Sequence, residues 1–259
     1  MRSLFAVVFI ALLVVSSMTA QTTPLAKDGM IRAAYLATNP AHAVKDPKTG
    51  AARGVVIDLV QELGRVHGVK VTPIPLANPA AVIDAVRKGE AEIGFVAYNP
   101  ERAGPVEFSK TYLLVNQTFI VREDSPIRTI ADIDTQGRKL GATRADSIAL
   151  YLGRTLKQGQ LVQLDKSSPD AVFQMLRDGT IDAFGANRQR LTDMARGVQG
   201  FRLLPDDLYG VEQSIIVPGG RRDAQDAANT FIDDVLRSGF LQKSIERSGV
   251  IGISAASPR

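Results

Sequence analysis

The 259-residue sequence contains no cysteine and only two histidines. The absence of cysteine excludes structural disulfides, thiol catalysis, lipoprotein attachment and cysteine-based zinc sites. Stability must therefore come from packing, and 45% hydrophobic residues are enough to bury a large core. The length suits one large domain or two lobes of about a hundred residues each.

The sequence also lacks a strong excess of charge of one sign. It has 31 basic and 27 acidic residues, which gives a formal net charge of +4. Because these charges are interspersed, the pI of about 9.4 indicates a solvated surface and not a nucleic-acid-binding face.

One long apolar run occurs, and it lies at the N-terminus. It extends from Leu4 to Val15, follows Arg2 and precedes small residues that end at Ala20. Since spanning a bilayer needs roughly twenty apolar residues, this pattern predicts a secretory signal peptide over residues 1–20 and export to the periplasm. The alternative is a buried N-terminal helix. No later run is long enough to span a membrane.

Several catalytic signatures are missing as well. The sequence has no Walker-type phosphate loop and no Gly-x-Ser-x-Gly elbow, and it shows no metal-binding constellation. His42 and His67 are far apart, and we expect His67 to be exposed at a helix end. We therefore expect no cofactor and no metal.

The first half of the chain alternates between short β-rich runs and helical patterns. Such alternation predicts a parallel sheet with helices on its faces and right-handed crossovers. The predicted strands and helices, in chain order, are Ile31–Leu36, Val55–Val66, Val69–Ile74, a helix that starts at Pro79 after the capping residue Asn78, and Ile93–Ala97.

The second half repeats this order, which favours two similar lobes. A helix–glycine–strand unit from Ala81 to Glu92 resembles the unit from Ala171 to Asp182, although chance similarity is an alternative. The predicted elements are Lys139–Ala142, Ser147–Leu156, Leu161–Leu164, Pro169–Arg177 and Ile181–Ala186.

Two further β-rich runs, Tyr112–Val121 and Val211–Val217, are predicted to cross between the lobes. The helices Asp223–Leu236 and Phe240–Arg247 follow the second crossing. Lobe 1 is then discontinuous, and a cleft lies where the carboxyl ends of both sheets meet. The expected boundaries are 29–113 and 215–259 for lobe 1 and 114–214 for lobe 2.

Six stretches of the chain carry a resemblance to a known family: Gly54–Gly68, Ala81–Ala97, 99–102, 106–109, 121–127 and 130–133. Together they resemble the family 3 bacterial extracellular solute-binding proteins. This resemblance implies a two-lobed type II periplasmic binding protein fold, in which each lobe is a mainly parallel sheet flanked by helices and two strands form the hinge. It also implies a protein that delivers polar amino acids to the membrane permease of an ABC importer, and we expect it to be a monomer.

The resemblance implies that Arg102 grips the carboxylate of the ligand. A guanidinium fork holds a carboxylate through two parallel charge-assisted hydrogen bonds. Relatives place a hydroxyl five residues earlier, where this sequence has Ala97. Either Tyr98 or Asn99 then supplies the missing hydrogen bond, or the ligand does not require it.

Further ligand contacts are implied in both lobes. Tyr35 is placed to present a phenol to the cleft, with a core tyrosine as the alternative. In lobe 2, Thr143 and Ser147 are candidate donors and Arg144 is a second cation near the cleft. Asp146 either caps the following helix or contacts the ligand.

Asn187 is the most informative departure from the family pattern. Amino-acid binders of this family usually carry an aspartate there that pairs with the ligand's α-ammonium. An amide supplies no charge, and a desolvated ammonium without a counter-charge is costly. Unless another acid such as Asp146 takes over, the sequence predicts a small carboxylate or a neutral polar solute.

Three functions remain open on the sequence alone. The leading one is a transport receptor, which needs a cleft and a ligand grip but no catalytic group. The second is an enzyme on the same fold, similar to cyclohexadienyl dehydratases, for which Asp146 and Glu101 are the candidate acids or bases. The third is a sensory module for a membrane receptor.

Overall fold

A computed structural model describes residues 23–37, 39–46, 48–144, 146–165 and 167–257. The predicted signal peptide lies outside these residues. The elements up to the first crossing strand are β1 (Met30–Leu36), β2 (Val44–Lys45), β3 (Ala52–Arg53), α1 (Val55–His67), β4 (Lys70–Leu76), α2 (Pro79–Arg87), β5 (Ile93–Ala97) and β6 (Val106–Arg122).

The remaining elements complete the second lobe and return to the first. They are β7 (Lys139–Thr143), α3 (Ser147–Thr155), β8 (Gln160–Leu164), α4 (Pro169–Arg177), β9 (Ala183–Asn187), α5 (Arg188–Ala195), β10 (Phe201–Leu203), β11 (Tyr209–Pro218), α6 (Arg222–Arg237), α7 (Phe240–Ser248) and β12 (Ile253–Ala255). Short 3-10 helices occupy Pro100–Arg102 and Ile130–Asp132.

Lobe 1 is built on the parallel strands β4, β1 and β5. The α2 helix begins at Pro79 because the side chain of Asn78 accepts a hydrogen bond from the Ala81 N–H at 2.9 Å. The α1 helix ends where Gly68 takes the left-handed conformation that favours glycine. His67 stands at this helix end as expected, but it is half-buried and not exposed, and burial lowers its pKa.

Lobe 2 repeats this plan with the parallel strands β8, β7 and β9. Its helices α3 and α4 start at Ser147 and Pro169, as the sequence predicts. The lobes therefore share the predicted order of strand, helix, strand, helix and strand. The structure confirms the mainly parallel α/β fold with helices flanking each sheet.

Strands β6 and β11 join the lobes. They pair with each other in antiparallel fashion, β11 also pairs with β5 of lobe 1, and β6 also pairs with β9 of lobe 2. A continuous sheet results, with the strand order β4-β1-β5-β11-β6-β9-β7-β8. Both predicted crossings are present. Strand β6 begins well before the predicted start at Tyr112, whereas β11 is only slightly longer than predicted.

Hydrophobic cores lie on both sides of each lobe's sheet. In lobe 1 one core packs under α1 and α6 and another under α2. In lobe 2 one core includes residues of α3 and the other includes residues of α4 and α5. Because each lobe is covered on both faces, each has its own packed interior, and the cleft between them is free to hold a ligand.

The sequence did not predict the hairpin β2–β3, the helix α5 or the strands β10 and β12. The C-terminal strand β12 pairs with β6. Just before it, the Gly252 carbonyl accepts a hydrogen bond from the Asn116 N–H at 2.8 Å. The Ile251 N–H donates to Gln189 Oε1 of α5 at 3.0 Å, so this C-terminal segment contacts lobe 2.

Candidate functional site

A cavity of about 300 Å³ opens between the lobes. It lies where β1 and β5 of lobe 1 and β9 of lobe 2 end, and the two crossing strands form its floor. The lining residues are Leu36, Asn39, Pro40, Pro79, Ala97, Val115, Gln117, Asp146, Ser147, Asn187, Arg190, Val211 and Gln213. We call this cavity the cleft. Both lobes contribute to it, as a site that closes on a ligand requires.

Two of the described residues that line the cleft carry charged side chains, and these two form an ion pair. Arg190 Nη1 lies 3.2 Å from Asp146 Oδ2. The same guanidinium donates to Thr143 Oγ1 at 3.4 Å and to the Ser167 carbonyl at 3.1 Å, and it also contacts Ser167 Oγ. Arg190 therefore has acceptors on three sides within its own lobe.

The position of Arg190 follows from the start of α5. Asn187 ends β9 and caps the helix, because its Oδ1 accepts a hydrogen bond from the Arg190 N–H at 2.8 Å. The guanidinium then lies 5.7 Å from the centre of the Phe184 ring, measured at Cζ. With 33% of its side chain exposed, Arg190 forms part of the lobe 2 wall.

Two buried glutamines form the floor of the cleft. Gln117 on β6 is 4% exposed and Gln213 on β11 is 2% exposed. Gln213 Nε2 donates to the Val211 carbonyl at 3.2 Å, and Gln213 Oε1 lies 3.0 Å from His42 Nε2. Gln117 Nε2 donates to the Val115 carbonyl at 3.1 Å. These bonds fix both amides on the two strands that connect the lobes.

His42 is fully buried behind this floor. Burial lowers its pKa to about 4, because the charged imidazolium loses its hydration, and the hydrogen bond to Gln213 opposes this only in part. The ring is therefore neutral at ordinary pH. Since an amide oxygen only accepts, His42 Nε2 carries the proton and donates it to Gln213.

Of the predicted ligand-binding residues, Ser147 and Asn187 line the cleft. Thr143 lies behind them, where its hydroxyl is 2.6 Å from Ser167 Oγ. Asp146 holds the N-cap position of α3, yet its side chain makes no capping hydrogen bond and pairs with Arg190 instead. The capping role is therefore not observed, and Asp146 lines the cleft with its charge paired.

Arg102, Tyr98 and Asn99 follow the carboxyl end of β5. Asn99 Oδ1 accepts a hydrogen bond from the Glu101 N–H at 3.0 Å and starts the short helix that carries Arg102. Tyr98 is 46% exposed and packs edge-on against Phe108 at 5.2 Å between ring centres. The half-buried Arg102 side chain makes no hydrogen bond or ion pair with the described part of the chain.

Arg102, Tyr98, Asn99 and Thr143 are not among the residues that line the cleft, and two further predicted residues, Tyr35 and Arg144, lie away from it. Tyr35 is 4% exposed and faces α1, where it borders a separate cavity with Ile57 and Gln61. Successive strand residues point to opposite faces, and the Tyr35 side chain falls on the face that packs in the core. Arg144 lies at the surface, where its Nε is 2.6 Å from Asp165 Oδ1.

Sequence reasoning missed Arg190, Gln117 and Gln213. Arg190 follows Asn187 by three residues, so the start of a helix after β9 was the signal that could have found it. The glutamines interrupt the apolar runs of the two predicted crossing strands, at positions where a buried polar side chain needs a reason. Within the described ranges, no cluster of three or more His, Cys, Asp or Glu side chains could hold a metal ion.

Comparison with known proteins gives a consistent result. The family model described as bacterial extracellular solute-binding proteins, family 3, matches residues 31–248. The chain is similar to a glutamine-binding protein of Geobacillus stearothermophilus, with 24% identity over 65% of this chain and 64% of that protein. It is also similar to the glutamate-binding protein GluB of Corynebacterium efficiens, with 26% identity over 79% of this chain and 71% of that protein.

Solved structures show the same fold at low identity. The substrate-binding protein AbpA of a Streptococcus pneumoniae amino acid ABC transporter, bound to L-arginine, has a TM-score of 0.60 and 19% identity over 85% of this chain and 94% of that one. The ancestral amino acid-binding protein AncCDT-1, described as a precursor of cyclohexadienyl dehydratase, has a TM-score of 0.60 and 21% identity over the same shares. None of the helices described here is long and apolar enough to cross a bilayer.

Proposed function

Because the chain belongs to the bacterial extracellular solute-binding proteins of family 3, we propose that it is an extracytoplasmic receptor of an ABC importer. In this proposal it is exported by residues 1–20, binds a small carboxylate-bearing solute in the cleft and presents it to a membrane permease. Lobe 1 comprises 29–113 and 215–259, and lobe 2 comprises 114–214. These boundaries fall within or beside the crossing strands β6 and β11.

The observation that carries the proposal is the distribution of charge around the cleft. On lobe 1, Arg102 has no side-chain partner in the described part of the chain. On lobe 2, Asp146 is neutralised by Arg190. Arg102 is thus the cation that has donors left for a carboxylate, and a guanidinium suits that group through paired hydrogen bonds.

The same distribution disfavours an α-ammonium group. Asn187 supplies no negative charge, and Asp146, the one acid among the described residues that line the cleft, already has a cationic partner. Transferring an ammonium from water into a partly desolvated site without a counter-charge costs on the order of several kcal/mol. The proposal therefore favours organic acids over the amino acids named for the similar proteins.

Binding and closure follow from the positions of these groups. Arg102 and lobe 1 capture the carboxylate first, and Ser147 and Asn187 of lobe 2 then close over the solute. Because β6 and β11 carry the connection, closure bends these strands near Gln117 and Gln213. The ligand shifts the population toward the closed form, which the permease recognises.

Thermal-shift measurements on the exported, purified protein test this function. The protein is tested against a panel of small organic acids, amino acids and sugars. We expect the melting temperature to rise with one or more of the organic acids and not with the sugars, since a bound ligand stabilises the folded state by RT ln(1 + [L]/Kd). Arg102→Ala should weaken binding of such acids about a hundredfold, roughly 3 kcal/mol, through loss of charge-assisted hydrogen bonds.

Arg144→Ala is the matched control, because it also removes an arginine of a predicted ligand contact, but one that lies at the surface in an exposed pair with Asp165. Its ligand affinity should equal that of the unaltered protein. If Arg102→Ala leaves the shift intact, the carboxylate grip is assigned to the wrong residue. Turnover of an added solute would show an enzyme in place of a receptor.

A further inference from the structure

The floor of the cleft carries two amides whose hydrogen-bonding capacity is only partly used. We propose that Gln117 and Gln213 bind a neutral group of the solute that both donates and accepts, an alcohol hydroxyl or a carboxamide. This inference rests on the proposed function and narrows its solute to a hydroxy or amide-bearing carboxylate.

Gln213 offers one free donor to the cleft. Its Oε1 is occupied by His42 Nε2, at 3.0 Å, and one Nε2 hydrogen goes to the Val211 carbonyl, at 3.2 Å. An amide nitrogen has two hydrogens, so one remains. The side chain lines the cleft, which is where that hydrogen can find a partner.

Gln117 offers an acceptor as well as a donor. One of its Nε2 hydrogens goes to the Val115 carbonyl, at 3.1 Å, and its Oε1 has no hydrogen-bond partner among the described residues. The side chain is 4% exposed and lines the cleft, so this oxygen is available to a group that binds there.

An acceptor and donors on neighbouring strands select the kind of group that fits. Gln117 and Gln213 lie four residues apart along the paired strands, but each amide donates to the carbonyl two residues before it, and these residues, Val115 and Val211, are paired with each other. Both side chains therefore lean toward the same part of the floor. A hydroxyl can donate to Gln117 Oε1 and accept from Gln213 Nε2. An ammonium only donates and a carboxylate only accepts, so each leaves part of the floor unsatisfied, and a buried group left unsatisfied is costly.

His42 is a positioning residue for this floor. By donating from Nε2 it holds the Gln213 oxygen away from the ligand and keeps the Gln213 nitrogen available. Rotating the amide would place two acceptors, the Val211 carbonyl and the Gln213 oxygen, against each other. The neutral, buried ring thus fixes which end of Gln213 serves the solute.

Matched pairs of probes test the proposal by calorimetry on the exported protein. Lactate is compared with propionate, and succinamate with succinate, because each pair differs at the group that should meet the floor. Alanine carries an ammonium in place of the lactate hydroxyl. We expect the hydroxyl and the carboxamide each to strengthen binding about tenfold over its partner, and alanine to bind no better than propionate.

Variants assign that difference to the glutamines. Gln117→Met and Gln213→Met keep the length of the side chain and remove the amide, so the ratio of lactate affinity to propionate affinity should fall from about ten to about one. His42→Leu should lose most of the same discrimination, whereas His42→Gln, which retains a donor, should keep it. Circular dichroism and thermal unfolding without ligand show that each variant is folded.

The outcomes separate this inference from the proposed function. If propionate and lactate bind equally in the unaltered protein, or if the variants keep the discrimination, the floor does not read a neutral group and the receptor function stands. If no carboxylate of the panel binds, both proposals are overturned. Preferential binding of alanine would overturn this inference and the exclusion of an ammonium, and the receptor function would stand.

Discussion

The two lobes differ in whether their arginines have side-chain partners. On lobe 1, Arg102 has no side-chain partner in the described part of the chain. On lobe 2, Arg190 pairs with Asp146 and contacts Thr143 and Ser167. Arg190 lines the cleft, whereas Arg102 follows β5, whose last residue Ala97 lines it. Of these two arginines, Arg102 is the one with free donors. The position of a charge therefore says less about ligand binding than the acceptors around it.

This contrast explains how lobe 2 can border a ligand site without attracting an ammonium or a second anion. Arg190 and Asp146 cancel each other, and the neighbouring Ser147 and Asn187 are neutral. Under the proposed function, lobe 1 determines the charge of the ligand, and lobe 2 contributes hydrogen bonds when it closes. This difference between the lobes can be tested at His42, Arg190 and Tyr35, in order of decreasing expected effect.

The stability of the cleft floor behind lobe 1 depends on His42 remaining neutral. Its folded-state pKa of about 4 lies below the value of 6.5 expected when unfolded, so as the pH falls through this window the unfolded chain takes up the proton first. Acid therefore removes stability, by about 3 kcal/mol between neutral pH and pH 4 from this residue alone. Denaturant melts across this pH range measure the loss.

His42→Gln is the control, because glutamine retains a donor toward Gln213 and does not titrate in this range. Part of the acid destabilisation comes from carboxylates and should remain in the variant. The difference between the two pH profiles isolates the histidine. Parallel profiles would show that the ring accepts a proton without cost, contrary to its burial.

The charge of the lobe 2 wall depends on the pairing of Arg190 with Asp146. Arg190→Gln should leave Asp146 without its cation, so that the wall becomes negative and amino acids gain affinity by about tenfold, while simple carboxylates lose severalfold. Calorimetry with alanine and propionate measures both changes. Arg190→Lys retains the charge and should keep the original preference; a gain for alanine in that variant would contradict the charge argument.

The smallest effect is expected at Tyr35. Tyr35→Phe alters a side chain that faces α1 and not the cleft, so ligand affinity should remain unchanged and the free energy of unfolding should move by no more than about 0.5 kcal/mol. Thermal shifts with and without a bound acid check both values. A clear loss of ligand affinity would place the phenol in the site after all.

The sequence was a good guide to elements with a strong hydrophobic period. Strand Ile93–Ala97 and helix Pro169–Arg177 have the predicted ends, and both crossing strands were found. These segments contain apolar runs or helix-starting residues, so their structure is determined by neighbouring residues in the sequence. The helix α5 was missed because its sequence is mostly polar, with Leu191 and Met194 as its buried residues, so packing against lobe 2 and the Asn187 cap define it.

The site was harder to predict because its parts come together only through the fold. Tyr35 lies in a strand that is apolar on both faces, so the sequence does not show which face meets the cleft. The pairing of Arg190 with Asp146 joins residues 44 positions apart. The contact between His42 and Gln213 joins residues 171 positions apart and could not be read from either segment.

The C-terminal segment has a practical consequence for any measurement of closure. Gly252 packs so tightly on lobe 2 that an added Cβ would lie 2.5 Å from Arg188 Cβ, and the adjoining Ile251 N–H is bound to Gln189. A fluorophore or affinity tag fused a few residues later would strain this contact between the C-terminal segment and lobe 2 whenever the lobes move. Reporters of the motion should therefore be attached to the outer helices α2 and α4, which do not take part in this contact.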